Sequence, residues 1–251
     1  MKLSNRALKW IAMTAMLADH IGLVLFEYWI QYGEGTGVLG QYLAAADAEL
    51  LYNIGYGMRI AGRISFPVYA FLLTEGFRYT RSWKKYWLRM VLFAMISQIP
   101  FSLAAYNVWI GGSCNIFFEL AIGILMLEGL KRAETYFDTR RNVYMLLVLA
   151  AACMASWLIR ADYDVSGILM IAAFYLLRDN QNARVTAGCT IAFAYSLQGG
   201  MGSAALAAVP LSMYNGKKGR AGNKYVFYWF YPVHLLALFL IRRYTMGIPL
   251  G

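Results

Sequence analysis

Long apolar stretches separated by short charged segments run along the whole chain, and they constrain its fold more than any other feature. A transmembrane helix needs roughly 20 mostly apolar residues, and shorter spans occur where a helix is tilted or broken. Nine stretches fit this description and predict about nine membrane-spanning helices. They are residues 8–30, 60–77, 87–105, 116–130, 143–159, 165–177, 185–197, 201–214 and 226–241.

The composition agrees with a membrane protein. Hydrophobic residues make up 60% of the 251 residues and charged residues only 14%. Soluble domains carry about 45–50% apolar and about 25% charged residues, so a soluble globule is excluded, as is intrinsic disorder. The three cysteines lie far apart in apolar surroundings, which predicts packing residues rather than a disulfide scaffold. We therefore predict an all-α, polytopic membrane bundle that forms one domain over residues 1–251.

The basic residues predict its orientation. A net charge of +10 is compatible with nucleic-acid binding, but the charge stands in short clusters between the apolar stretches, so no nucleic-acid partner is expected. With a cytoplasmic N-terminus, 18 of the 23 Lys and Arg residues would face the cytoplasm, as the positive-inside rule requires. They lie in residues 1–9, 78–89, 131–142, 178–184 and 214–224. An even number of spans would also place Arg242 and Arg243 inside.

Ionisable residues within predicted spans are functional candidates, because a charge at the centre of a membrane helix costs about 2.5–3.5 kcal/mol on insertion scales. Asp19 and His20 lie near the middle of the first span. In the functional interpretation His20 is a general base, and Asp19 orients it or another partner. The alternative is a hydrogen-bonded pair that ties helices together.

Lys9 stands eleven residues before His20. Eleven residues make about three helical turns with a rise of about 16 Å, and they bring both side chains within roughly 20° of one face. The spacing predicts a groove with a cation at its cytoplasmic mouth and a base deep in the membrane. The alternative is that Lys9 only anchors the helix at the interface.

Two arginines begin the second predicted span. Arg59 and Arg63 are four residues apart, which predicts one helical face. Arg63 lies deeper and needs a carboxylate, for which Asp19 is a candidate, whereas Arg59 is expected to anchor the outer interface. Pro67 is expected to kink this helix and to free backbone groups that can line a cavity.

The remaining polar candidates lie in later spans. Glu119 follows Asn115 by four residues, and this pair is expected within the bundle. Tyr231 and His234 flank Pro232 in the last span, where a structural and a catalytic role are both open. Two further acids are expected nearer the interfaces. These are Glu75, as a surface pair with Arg78, and Asp162 in the outer segment 160–164.

The segment 78–89 is basic, with aromatic residues in between. Such a segment suits a nucleotide with several phosphates, and it equally suits contact with anionic lipid together with a topology signal. The chain has no Cys or His pair at metal-ligand spacing, no Walker loop and no glycine-rich dinucleotide motif, so no metal site is expected.

Several segments resemble the TraX family of conjugal pilin acetyltransferases. The matches extend from residue 8 to about residue 240, which is nearly the whole chain. They are LKWIAM at 8–13, ADHIG at 18–22, GRISFPVYAFLLTEGF at 62–77, RMVLFAMISQIPF at 89–101 and YPVHL at 231–235.

TraX proteins resemble the larger acyltransferase-3 class of membrane acyltransferases. In that class the first helix carries a basic residue, ten intervening residues and a histidine, and Lys9 and His20 match this spacing. The resemblance implies that His20 is the base and that Lys9 belongs to the acyl-CoA site. Arg81 and Arg89 would represent the cytoplasmic arginines of the class, in a loop that does not align residue by residue.

The resemblance implies an acetyltransferase of the bacterial cytoplasmic (inner) membrane. Cytoplasmic acetyl-CoA would be the acyl donor and would deliver its thioester near His20, where Asp19 or Arg63 would stabilise charge. The acceptor, open between a pilin N-terminal amine, a glycan and a small molecule, would arrive from the outer side. The alternative function is a proton-coupled transporter or channel with Asp19, His20 and Arg63 as its pathway.

Overall fold

The computed structural model describes residues 2–32, 37–44, 46–219, 223 and 225–247. Every named element in this part of the chain is helical, which confirms the all-α prediction. In chain order the helices are α1 (Asn5–Ile21), a π-helical turn (Gly22–Glu27) that continues α1 into α2 (Tyr28–Tyr32), α3 (Val38–Ala44), α4 (Ala48–Gly62), α5 (Ser65–Tyr79), α6 (Trp83–Tyr106), α7 (Ile116–Ala133), α8 (Asp138–Leu158), α9 (Asp164–Leu176), α10 (Gln181–Gly200), a 3-10 turn (Ser203–Ala207) before α11 (Ala208–Ser212), and α12 (Tyr225–Met246).

Apolar helices of sufficient length indicate a membrane protein. Among the described residues, four helices are long and apolar enough to cross a bilayer, judged by length and composition. They are α1 with its continuation (Asn5–Gln31), α6, α8 and α12. The other predicted spans also contain helix, but those helices are shorter or more polar. Nine spans and a cytoplasmic N-terminus therefore remain predictions.

Side-chain caps explain where several helices begin. The first N–H groups of a helix have no partner within the helix, and a preceding Ser or Asn can accept a hydrogen bond from one of them. Ser4 accepts from Ala7 at the start of α1. Asn115 caps α7 in the same way. Ser82 and Asn180 cap α6 and α10.

The segment predicted as one span over 60–77 is two helices, and this expectation was wrong. Helix α4 ends at Gly62 and α5 begins at Ser65, so that Arg63 is the C-terminal cap of α4 rather than a residue within a continuous helix. Pro67 lies in the first turn of α5, where its missing N–H would have had no partner within the helix. The structure therefore does not contain the kink predicted at Pro67.

Helix α1 packs closely against α4 through glycines. A Cβ atom added to Gly62 would lie 2.1 Å from the Cβ of Asp19, and one added to Gly22 would lie 2.8 Å from the carbonyl oxygen of Gly55. Small residues at such positions let two helix backbones approach and pack in a membrane. The contact at Gly62 places the end of α4 directly against Asp19.

This packing generates a prediction for Gly62→Ala. The added methyl group has to displace α1 or α4, and overpacking of this kind costs about 1–3 kcal/mol. We expect a lower midpoint of thermal unfolding in detergent, measured by tryptophan fluorescence.

The matched control is Gly57→Ala in the same helix, because a Cβ atom at Gly57 would meet no atom within 4 Å. Alanine favours a helix over glycine, so Gly57→Ala is expected to leave the midpoint unchanged or to raise it. Equal midpoints for the two variants would contradict the close α1–α4 contact.

Candidate functional site

A cavity of about 680 Å³ runs through the bundle. It is lined by α1, α5, α6, α7 and α12, by Gly62 at the end of α4, and by three connecting segments. Its volume lies within the range of about 300–1,000 Å³ typical of small-molecule and cofactor sites. One end, which we call the basic mouth, is lined by Arg6, Lys9, Arg89 and Lys218. The opposite deep end is lined by Asp19, His20, Asp162, Tyr163 and Tyr231.

Helix α1 connects the two ends of the cavity. Lys9, Met16 and His20 all line it, and their spacings of seven and four residues place them on one helical face. The structure thus puts Lys9 at the mouth and His20 at the deep end of one continuous space. The π-helical turn begins two residues after His20, and such turns occur frequently at functional sites.

The basic mouth combines cations with aromatic rings. The Lys9 ammonium lies 5.2 Å from the centre of the Phe227 ring. The Arg89 guanidinium lies 5.6 Å from the centre of the Tyr86 ring, and it donates a hydrogen bond to the hydroxyl of Tyr228. These contacts hold both cations at the cavity wall.

Arg81, proposed from the sequence together with Arg89, lies elsewhere. It is exposed and is not among the residues that line the cavity. The helical register explains the difference, because Arg81 precedes the first turn of α6 whereas Arg89 lies within the helix. The structure therefore offers Arg81 no part in this site.

Asp19, a candidate partner for Arg63, pairs with Arg59 instead. Its Oδ2 accepts a hydrogen bond from Arg59 Nη1 at 2.6 Å, and Arg59 Nε donates to Glu27 at 3.0 Å. Because α4 ends at Gly62, Arg59 still faces α1 whereas Arg63 lies in the following turn. Arg59 is thus an ion-pair partner at the deep end, beyond the role of an interface anchor.

Arg63 lies beside the cavity wall. Its side chain approaches Gly200, and its buried Nε has no hydrogen-bond partner within the described residues. Asp19, Asp162 and Tyr163 are near enough to interact with it electrostatically. Arg63 therefore contributes positive charge to the deep end without lining it.

The segment 159–163 between α8 and α9 folds back into the deep end. Glu119 is fully buried, and its Oε2 accepts a hydrogen bond from the Tyr163 backbone N–H at 2.8 Å. The Phe66 ring stacks on Tyr163 with centroids 3.7 Å apart. Glu119 thus lies behind this segment and holds it in place.

Asp162 occupies this segment and lines the cavity, whereas the sequence suggested a position at the interface. The surrounding protein removes its carboxyl from bulk water and raises its pKa to about 6. The Asp19 carboxylate adds to this shift, and Arg59 and Arg63 oppose it. The deep end therefore contains two carboxyl groups close to two guanidinium groups.

His20 contacts His234 rather than Asp19. The Nδ1 atom of His20 and the Nε2 atom of His234 are 2.7 Å apart. The Nδ1 atom of His234 lies 2.6 Å from the carbonyl oxygen of Phe230. Tyr231 packs edge-on against both imidazoles, and its hydroxyl accepts a hydrogen bond from the Ile116 backbone. Of the two partners considered for Asp19, His20 or another residue, the structure shows another residue, Arg59.

Two other candidates, Asn115 and Glu75, form hydrogen bonds or ion pairs with residues of other helices or segments. Asn115 caps α7 and donates a hydrogen bond to the Ala94 carbonyl at 2.7 Å, so it joins α7 to α6. Glu75 pairs with Arg78 at 3.3 Å as predicted. It is nevertheless buried, and it also binds Arg184 and the Tyr214 hydroxyl, each at 2.9 Å.

Sequence reasoning missed several residues that line the cavity. Arg6 precedes Lys9 by three residues, and this helical spacing could have indicated it. Asp162 and Lys218 come from connecting segments, where no periodicity signals a shared surface. Tyr69 also lines the cavity, and its hydroxyl has no hydrogen-bond partner among the described residues.

The comparisons with known proteins agree with the resemblance seen in the sequence. The chain is similar to the probable fimbrial assembly protein FimC, serogroup H1, of Dichelobacter nodosus, with 27% identity over 252 residues and coverage of 92% of each chain. No solved structure matches it. The family model described as TraX protein matches residues 4–242. With a match over nearly its whole length, this chain belongs to the TraX family.

Proposed function

We propose that this protein is a membrane-embedded acetyltransferase that moves an acetyl group from cytoplasmic acetyl-CoA to an amine or hydroxyl acceptor. The observation that carries the proposal is the cavity itself, which connects a mouth lined by four basic residues to a histidine. A polyanionic donor with a long flexible arm matches this distribution of charge. The proposed location is the bacterial cytoplasmic membrane, with the basic mouth facing the cytoplasm.

The basic mouth is the proposed site for the CoA phosphates. Arg6, Lys9, Arg89 and Lys218 line it, and hydrogen bonds between such cations and phosphate oxygens are charge-assisted. The aromatic rings next to Lys9 and Arg89 provide faces for the adenine base. Glu75, a carboxylate that also lines the cavity, is paired with Arg184 and Arg78, which are not among the four cations of the mouth.

The deep end is the proposed site of acetyl transfer. Lys9 and His20 are separated by about 16 Å along α1, and an extended pantetheine arm would place the thioester near His20. His20 would take a proton from the acceptor as it attacks the acetyl carbonyl. Tyr69 offers a hydroxyl to the carbonyl oxygen, and the nearby Arg59 and Arg63 charges balance Asp19 and Asp162.

The proposal makes a prediction for binding of acetyl-CoA to the purified protein in detergent. Lys9→Ala or Arg89→Ala each removes a cation from the mouth, and a hydrogen bond to a charged group contributes about 1.5–3 kcal/mol. We expect the dissociation constant, measured by isothermal titration calorimetry, to rise by roughly tenfold to a hundredfold.

Arg81→Ala is the matched control for this experiment. It removes the same charge from the same basic segment, but Arg81 does not line the cavity. Its expected dissociation constant is that of the unmodified protein. No binding at all, or equal weakening by Arg81→Ala and Arg89→Ala, would reject the proposed donor site.

A second prediction concerns the base. His20→Ala should retain acetyl-CoA binding, because His20 lies away from the mouth. Slow hydrolysis of acetyl-CoA should fall by about 10²–10⁴-fold, the usual contribution of a general base. Release of free CoA, separated by liquid chromatography, measures this rate.

Hydrolysis at the unmodified rate in His20→Ala would remove His20 as the base while leaving the donor site intact. An acceptor screen can then start from a fimbrial subunit, since the relative is named as a probable fimbrial assembly protein. A glycan and a small molecule remain the other acceptors to test. Proton flux in liposomes without acetyl-CoA turnover would favour the transporter alternative.

A further inference from the structure

The donor and the acceptor in the hydrogen bond between His20 and His234 can be assigned from the neighbouring contacts. A carbonyl oxygen only accepts hydrogen bonds, so the 2.6 Å contact between His234 Nδ1 and the Phe230 carbonyl requires a proton on Nδ1. In a neutral imidazole the other nitrogen is then an acceptor. His234 Nε2 therefore accepts the hydrogen bond from His20 Nδ1 at 2.7 Å.

The same reasoning determines the state of the second His20 nitrogen. With its proton on Nδ1, neutral His20 carries a lone pair on Nε2. His20 lines the cavity, and no residue in the described part of the chain forms a hydrogen bond with its Nε2. Because the two nitrogens lie on different sides of the ring, Nε2 points away from His234.

We infer that His234 is a positioning residue that holds His20 in the tautomer protonated at Nδ1, which makes Nε2 the basic atom offered to the cavity. The chain of contacts runs from the Phe230 carbonyl through His234 to His20. Phe230 also stacks on the His234 ring with centroids 4.4 Å apart, and this contact restrains the ring.

The surroundings of His20 explain why His234, and not Asp19, orients its ring. Asp19 is adjacent to His20, and neighbouring residues on a helix point about 100° apart. Asp19 is also bound to Arg59 at 2.6 Å. His234 lies on α12, which packs against α1 on the side where His20 faces. A neutral partner orients the imidazole without adding a buried negative charge beside it.

The role of Nε2 in catalysis rests on the proposed function, and it accounts for every proton that is transferred. The acceptor N–H or O–H gives its proton to Nε2 while its lone pair forms a bond to the acetyl carbon. The C–S bond then breaks, and the departing CoA thiolate takes the proton from Nε2. Throughout, the Nδ1 proton stays between His20 and His234, and this bond strengthens while His20 is an imidazolium.

The test uses the fact that the chain contains two histidines. Protein grown with 15N-labelled histidine and held in detergent micelles gives nitrogen resonances for His20 and His234 alone. Each histidine is assigned by substituting the other. At neutral pH we expect both rings to be protonated at Nδ1 and not at Nε2, whereas a solvated imidazole prefers a proton on Nε2.

Two variants of His234 separate positioning from packing. In His234→Gln the amide oxygen can accept from His20 Nδ1 while the amide nitrogen donates to the Phe230 carbonyl, so the Nδ1 tautomer should persist. His234→Leu offers no acceptor, and His20 should shift to the Nε2-protonated tautomer. Wild-type His20 protonated at Nε2, or an unchanged tautomer in His234→Leu, would overturn the inference.

Turnover supplies an independent measurement. His234→Leu should lower kcat for acetyl-CoA hydrolysis by at least about tenfold with KM unchanged, because a general base in the wrong tautomer is inactive. His234→Gln should restore most of the loss. Rates in His234→Leu equal to wild type would also overturn the inference. If the Nδ1 tautomer is found but acetyl-CoA neither binds nor turns over, the tautomer assignment stands and the proposed function fails.

Discussion

A polar side chain inside a helical membrane protein has to find its partner within the protein, because hydrocarbon offers none. Several buried polar side chains of this protein meet that constraint by pairing with elements that are distant in sequence. The pairs are Asp19 with Arg59, His20 with His234, Glu75 with Arg184, and Glu119 with the Tyr163 backbone. Each pair joins two elements, so together they hold the bundle in one arrangement and shape the cavity.

These pairings give the two ends of the cavity different electrostatics. At the deep end the carboxyl groups of Asp19 and Asp162 lie near the guanidinium groups of Arg59 and Arg63. At the mouth four cations line the cavity, and the carboxylate of Glu75 is paired with Arg184 and Arg78. Under the proposed function, this distribution of charge would attract a polyanionic donor to the mouth and place its neutral thioester at the deep end.

The helical repeat in the sequence predicts which residues of α1 share one face. The alignment of Lys9 with His20 depends only on the helical repeat, and the structure places both along one cavity. The sequence did not reveal that Asp19 pairs with Arg59 rather than Arg63, because this choice depends on where α4 ends. Gly62 is the last residue of α4 and packs against Asp19, but the hydrophobic run across 60–77 gave no sign that a helix ends there.

The sequence by itself determined the helical class, the membrane character, the family and the row of residues along α1, because each depends on composition, motif or local repeat. Only the tertiary structure decided which polar groups meet. His20 and His234 are 214 residues apart, and Asp162 enters the deep end through a connecting segment held by Glu119. No local pattern encodes such contacts, since they arise when helices pack at angles and distances that the whole bundle determines.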